Sequence, residues 1–362
     1  MGIKNLRTLI NKFAPDAIST KHLKTYENQI ITIDTSLYMY RMKYNNKEKY
    51  LEGFIKQVLR LIRNKITPVY IFDGAPPPEK TCVLQSRKDT KETLQERIKE
   101  VEEIIQKAVL DETILNDLSL YRVKIDNGKE ITERPCTLKD LEEEYNKLNK
   151  RNINVSYYDF KILKKLLRRL GVPYIVANGE AETLCAKLSR CGLVGGCMSE
   201  DMDILPNGGK KFIRNFNSSK NTITEYDLDI ILEKMEITYE QFIDICILCG
   251  CDYCPKITGI GPINAYKLIK KHKDIETLLG HLKPKNKVPE DFEYEKARHL
   301  FLCDYDEIEC LTEQMVLKPA NFEKLNKFMN DYMVHKINDK TMKQMMKLLE
   351  WQKEEELHNS TE

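Results

Sequence analysis

The chain has 362 residues, 41% hydrophobic and 31% charged, with a formal net charge of +2. That balance belongs to a water-soluble folded protein and excludes a low-complexity chain, while the near-equality of acids and bases leaves any charged partner to be read from local clustering. No apolar run approaches the roughly 20 residues of a membrane helix, so no membrane partner is expected.

The amino end, MGIKNLRTLINKF, lacks the apolar block of a signal peptide, and Leu6 stands where a myristoylation motif requires Ser or Thr. An intracellular protein with reduced thiols is expected, and eleven cysteines, an odd number, fit that reading. Short apolar runs ending in acids then alternate with helical patterns, the signature of an α/β fold whose mostly parallel central sheet is flanked by helices. QIITIDTS ends in Asp34, PVYIFDG in Asp73, VPYIVANGEAE leads to Glu180 and Glu182, and CMSEDMD carries Asp201 and Asp203. Ligands of open parallel sheets collect outside the carboxyl ends of the strands, so these acids are expected to converge.

Residues 79–155 are charge-rich and read as mostly exposed helix with a polar interruption near Asp126, Asn127 and Gly128, an excursion from the sheet. Beyond about residue 226 the pattern is helical. Without an internal repeat or a Pro/Gly/Ser linker, 1–362 reads as a single domain. Its parts are 1–78, the excursion 79–155, a second sheet-and-helix part 156–290 and a helical carboxyl extension 291–362.

Carboxylates gathered at one place repel by roughly 4 kcal/mol per pair at about 4 Å and an effective dielectric near 20, so they require protonation or a cation. Oxygen-only ligands without histidine suit Mg²⁺ or Mn²⁺ rather than zinc, and two such ions can activate water and stabilise the leaving oxygen of a phosphodiester. Each acid has a plainer role open to it. Asp34 can cap the next helix, Asp73 can serve a turn, and Glu180 can complement a helix dipole, though capping does not call for acids paired at i, i+2. The CxxC spacings among Cys246, Cys249, Cys251 and Cys254 raise zinc, against which QFIDICILCG reads as a buried helix with cysteine as a small hydrophobe. The glycines of GIGPINAYKLIKKHK follow a helix, which fails the dinucleotide fingerprint. A glycine turn opening a helix instead offers N–H groups to a phosphate beside Lys267, Lys270, Lys271 and Lys273, and the plainer alternative is a solvated lysine face.

Six blocks, MGIKNL, IDTSLYMY, PVYIFDGAPP, GEAETLCA, SEDMDIL and CILCGCDYCPKITGIGP, stand in the order found in flap endonucleases of the structure-specific 5′ nuclease family. The chain resembles that family from Met1 to about Lys273. The resemblance implies a PIN-like fold with a helical arch and a helix-three-turn-helix. It implies two Mg²⁺ ions, with Mn²⁺ as a substitute, held by Asp34, Asp73, Glu180, Glu182, Asp201, Asp203 and Asp252. Glu180, Glu182 and Asp73 would lie nearer one ion, Asp201, Asp203 and Asp252 nearer the other, with Asp34 and Asp252 acting partly through bound water and Glu200 as a supporting residue. Lys80 and Arg87, seven apart and therefore on one helical face, match the basic pair that steadies the scissile phosphate. Tyr40 matches a residue that stacks on a base, where the plain reading is a core tyrosine, and Gly2 a small residue close to the DNA.

Gly259 and Gly261, with Lys267, Lys271 and Lys273, would grip duplex DNA beside a K⁺ ion, although Ile263 and Asn264 replace the family's common Lys-Arg pair. The stretch from Tyr40 to Asp73 is short, which trims the wedging loop, and the arch is long. KLLEWQKEEELHNSTE carries no sliding-clamp motif. A monomer acting on branched DNA with a 5′ flap in replication and repair is implied, in the nucleus for a cellular eukaryotic protein or at a viral replication site. Abundant Ile, Lys and Asn fit the A+T-rich genomes of protists and large DNA viruses. Three alternatives stay open: a 5′ exonuclease or junction-resolving relative, a DNA-binding module without catalysis, and a small-molecule phosphatase.

Overall fold

The computed structural model describes residues 2–110, 122–126, 131–217, 220–284, 286–302, 309–333, 340–343 and 345. Gly128 and the carboxyl-terminal 346–362 segment, where no clamp motif is expected, lie outside them. The chain divides into two compact units, Met1–Lys80 with Ser156–Glu362, and Thr81–Val155.

The first unit is built on a seven-stranded sheet of order β1-β9-β8-β7-β2-β3-β6. Strands β2 (Ile30–Asp34), β3 (Thr67–Phe72), β6 (Tyr174–Val176), β7 (Gly196–Met198) and β8 (Lys211–Asn217) run parallel. Strands β1 (Ile18–His22) and β9 (Thr222–Asp227) extend it antiparallel at one side. The central strands are apolar on both faces: Ile31 and Ile33 of β2 and Val69, Tyr70 and Ile71 of β3 are fully buried, as sheets covered by helices on both sides require. β1 alternates polar residues with intermediate burial, ISTKH, so its sequence reads less clearly as a strand.

Helices α1 (Leu6–Phe13), α2 (Thr35–Asn45) and α3 (Tyr50–Arg63) precede the second unit, which contributes α4 (Thr81–Leu110) and α5 (Leu138–Arg151). The first unit then resumes with α6 (Tyr157–Arg169), α7 (Ala181–Arg190), α8 (Leu228–Met235), α9 (Tyr239–Cys249), α10 (Pro262–His272), α11 (Ile275–Leu279), α12 (Tyr294–Leu302) and α13 (Phe322–Met333). Its core joins Leu6, Leu9 and Ile10 of α1 to Leu184 and Leu188 of α7 and to the interior helix α9. Each such side chain contributes roughly 1.5–3 kcal/mol on full burial. Cys246 and Cys249 are buried in α9 among Ile243, Ile247 and Leu248, the small-hydrophobe role. Among the described residues, no helix is long and apolar enough to cross a membrane.

In the second unit, the polar interruption within the expected helices is a β-hairpin, β4 (Arg122–Asp126) paired antiparallel with β5 (Ile131–Pro135). The signal was in the chain: alternating RVKID followed by Asn127-Gly128 is a strong short-range hairpin pattern. Val101, Ala108 and Leu141 form a small core of their own, with Ile104, Ile105 and Leu148 packed against it. Arg134 holds Asp140 at 2.5 Å, and Asp140 closes a capping box with Thr137 that starts α5.

Candidate active site

The carboxyl ends of β2, β3 and β7 lie side by side in the sheet, and each delivers an acid. Asp34 ends β2 and caps α2, accepting from the Ser36 N–H at 3.2 Å, while its second oxygen accepts from the Ser199 hydroxyl at 2.9 Å. The capping role and convergence on a site are thus both present in one residue. Asp73, just past β3, accepts from the Ser36 hydroxyl and from the Ala181 N–H, 2.8 Å away at the start of α7. Glu180 precedes α7 and Glu182 lies in its first turn.

Asp201 follows β7, accepts from the Asp203 N–H at 3.2 Å, and is held by its own N–H donating to Ser199 at 3.1 Å. Asp203 accepts from the Ile3 N–H at 2.7 Å, which ties the amino terminus into the site. Gly2 adopts φ +79°, and a Cβ there would collide with Asp201 and Asp203. The need for glycine at position 2 is therefore already imposed by the protein's own carboxylates. Glu200 points away from this group, to Arg41 and, at 3.6 Å, to Arg214.

Lys80 is a cation seated among the acids. Its ammonium pairs with Glu180, lies 3.3 Å from Asp252 and 3.7 Å from Glu182, and stands over the Tyr253 ring at 5.8 Å. The Tyr253 hydroxyl donates to Glu180 at 2.6 Å. Lys80 closes a 3-10 turn, Pro78–Lys80, and α4 begins only at Thr81, so the helical spacing expected of Lys80 and Arg87 does not apply. The prolines at 76–78 are the physical cause, since each disfavours α geometry in the residue before it. Arg87 is exposed on α4 in the second unit.

The electrostatics of this group are severe. Burial and then the Asp73 charge push Asp34 up to about 7. Burial, with Asp201 and Asp203 adding repulsion, holds Glu182 well above the usual carboxylate range. Asp203 is raised in the same way by burial, Asp201 and Asp252, and Asp201 chiefly by burial. Burial works against the Lys80 ammonium, yet Glu182 and Glu180 outweigh it and hold the lysine above its ordinary value. These mutual effects link all seven acids into one group.

The donor set fits a hard divalent cation. It is all oxygen, and two of its buried oxygens, Glu182 Oε1 and Asp203 Oδ2, accept no hydrogen bond. Among the described residues, no three acidic, histidine or cysteine side chains are already gathered as a metal cage. The Lys80 ammonium stands among three of the acids, Glu180, Glu182 and Asp252.

The second sequence-predicted cluster lies at α9 and α10. Gly259 takes φ +81° in the turn, and Gly261, the N-cap of α10, faces open space where a Cβ would sit. Gly259, Asn264, Lys267 and Lys271 line one pocket with His272 and His281. Lys270 instead pairs with Glu236 at 2.6 Å, and Lys273 ends α10 outside that pocket. Tyr40 is 46% exposed on α2, which removes the core-tyrosine reading.

Sequence reasoning missed the hydroxyls of Ser36, Ser199 and Tyr253 and the N–H groups of Ile3 and Ala181. A signal existed for Ser36, Ser199, Tyr253 and Ala181, each within two residues of a predicted acid, and none for Ile3.

Comparison with known proteins gives the family and agrees with the fold. The XPG N-terminal domain family matches residues 1–94 and the XPG I-region family matches residues 171–252. Flap endonuclease 1 of Micromonas commoda is 37% identical over 319 residues, covering 83% of this chain and 74% of the relative. Flap endonuclease 1 of Tetrahymena thermophila is 32% identical over 355 residues, 91% of this chain and 83% of the relative. The catalytic core of Rad2, solved in complex with DNA substrate, shares the fold at a TM-score of 0.65 and 19% identity, over 95% of this chain and 100% of that one. The chain therefore belongs to the flap endonucleases, DNA phosphodiester hydrolases of PIN-like fold.

Proposed function

We propose that this protein is a Mg²⁺-dependent 5′ flap endonuclease with accompanying 5′ exonuclease activity, acting in DNA replication and repair. The observation that carries the reading is the group of acids around the carboxyl ends of β2, β3 and β7 and the start of α7, namely Asp34, Asp73, Glu180, Glu182, Asp201 and Asp203, with Asp252 joined to them through Lys80. Burial raises several of their pKa values, so a metal-free site at neutral pH is electrostatically unfavourable and a cation relieves it. Two Mg²⁺ ions, or Mn²⁺ in their place, would be held by these residues and would supply an activated water and neutralisation of the leaving oxygen.

The chain's own residues do the rest. Ser36 and the Ala181 N–H orient Asp73, Ser199 orients Asp34 and Asp201, and the Ile3 N–H orients Asp203. Lys80, which pairs with Glu180, would steady the negative charge of the scissile phosphate, with Arg87 as its proposed partner. Tyr40 stacks on a base, and the pocket at Gly259, Lys267 and Lys271, with the adjoining Gly261 turn, takes the duplex backbone, with K⁺ as its proposed ion. The protein acts as a monomer, on branched DNA.

One observation keeps a junction-resolving or purely exonucleolytic relative in view: only residues 46–49 separate α2 from α3, a short connection where a wedging loop is expected. Cleavage of a labelled 5′-flap duplex in Mg²⁺, beside a four-way junction and a flap blocked at its 5′ end, separates the readings. Cutting near the base of the free flap, with resistance of the blocked one and loss in Asp201→Ala, supports the flap endonuclease. Preference for the junction, or indifference to the block, overturns that substrate assignment.

A further inference from the structure

Tyrosine crowds the region where the wedging loop is short. Tyr44 lies one turn beyond Tyr40, so the two share a face of α2, and they are 45% and 46% exposed. The neighbouring Lys43 pairs with Asp159 at 2.6 Å and stands 5.1 Å over the Tyr50 ring, which fastens this end of α2 to the first turn of α6. That turn begins with Tyr157 and Tyr158, 82% and 58% exposed. Among the described residues, every large aromatic side chain left exposed is one of these four tyrosines.

The connection between α2 and α3 does not screen them. Asn46 folds it tightly, its side-chain oxygen accepting from the N–H groups of Glu48 at 3.0 Å and Lys49 at 2.9 Å. Lys47 and Lys49 are exposed on the same short turn. The track starts at the active site, because Asp34 caps the helix that carries Tyr40 and Tyr44. From Asp34 to Tyr44 the helix rises about 15 Å. That span matches roughly four nucleotides at about 3.4 Å per step.

We propose that Tyr44, Tyr157 and Tyr158 extend the base contact of Tyr40 into a stacking track for the unpaired bases of single-stranded DNA that adjoins the metal site. The inference rests on the flap-nuclease reading and adds the path of the single strand. Aromatic rings left in water beside cationic side chains are the means by which proteins hold single strands without reading sequence. A protein partner is the less favoured occupant, because the track is continuous with the carboxylate centre and is flanked by Lys47 and Lys49.

The test is fluorescence anisotropy of a labelled 5′-flap duplex, a flapless duplex and a free oligonucleotide, with Ca²⁺ replacing Mg²⁺ so that nothing is cut. Tyr44→Ala and the Tyr157→Ala/Tyr158→Ala double variant are each expected to weaken binding of the flap and the oligonucleotide by about fivefold or more, and to leave the flapless duplex unchanged. The corresponding Phe variants, which keep the ring, are expected to bind as wild type does. Equal loss on all three DNAs, or no loss on any, overturns the track. In parallel, 5-iodouracil placed along the flap is expected to cross-link to one or more of Tyr44, Tyr157 and Tyr158 of the wild-type protein. Cross-links that all fall elsewhere also overturn it, whether or not the alanine variants fold. Wild-type cleavage in Mg²⁺ is scored separately, so loss of the nuclease reading is distinguishable from loss of the track.

Discussion

Around the carboxyl ends of β2, β3 and β7, buried acids such as Asp34, Asp201 and Asp203 crowd together and the Lys80 ammonium stands among Glu180, Glu182 and Asp252, whereas in Thr81–Val155 charge faces water along two long helices. Of the 30 residues of α4 only Ile98, Val101 and Ala108 are buried, and its ion pairs, such as Arg97 with Glu100 at 3.1 Å and Glu144 at 3.0 Å, lie at the surface. Surface pairs of that kind contribute little, about 0–1 kcal/mol each. Buried like charges oppose folding unless a ligand compensates them, so the first region's sequence is constrained by chemistry. The second is constrained by little beyond a small core, which is why it can accommodate a hairpin.

Loss of one acid is the largest break in this contrast. Asp201→Ala is expected to lower flap cleavage by at least about 100-fold, since even residues that only support metal ligands are worth roughly 10–100-fold. Thermal stability without metal should stay level or rise, because a repelling charge is gone. A variant that cuts within tenfold of wild type would remove Asp201 from the centre. Lys80→Met comes next: cleavage should fall by roughly 10²–10³-fold, the scale of one lost transition-state donor. Divalent ions should bind the same variant more tightly by calorimetry, because their competitor is absent. Weaker metal binding would show that Lys80 organises the acids rather than standing in for a cation.

In the second region the corresponding break is Leu141→Ala, expected to cost roughly 2–5 kcal/mol. The loss should be local, so that hydrogen exchange quickens in α4 and α5 while β2 and β3 keep their protection. Protection lost equally in the sheet would mean that the two units unfold together. The smallest effect is in pH dependence. Asp34 is raised to about 7, so its contribution to stability without metal is full below about pH 4 and is lost as pH rises through about 7. Metal-free melting temperature should therefore fall across that window by an amount that Asp34→Asn reduces. A melting curve for Asp34→Asn that tracks wild type at every pH would place the effect elsewhere.

Legibility in the sequence followed the same divide. Asp34, Asp73 and Asp201 could be read as site residues because each ends an apolar run, and a run buried on both faces has few ways to fold. Asp252 ends no strand; it follows α9, and only the family resemblance pointed to it. The contact of Ile3 with Asp203 spans 200 positions and leaves no local trace. The strand ISTKH and the hairpin of β4 and β5 were missed because polar residues interrupt their apolar pattern. Lys80 was placed on a helix because charge spacing alone does not register that prolines delay the helix by one residue.

The most direct measurement is the rate of 5′-flap cleavage by the full chain as Mg²⁺ is titrated from an EDTA-treated state, with calorimetric metal binding followed on the same preparation. The account predicts no cutting without divalent ion, a rate that rises with metal occupancy, and loss of both binding and cutting in Asp201→Ala. Cleavage that persists in EDTA, or full-rate cutting by a variant that no longer binds the ion, would contradict a metal-dependent carboxylate centre.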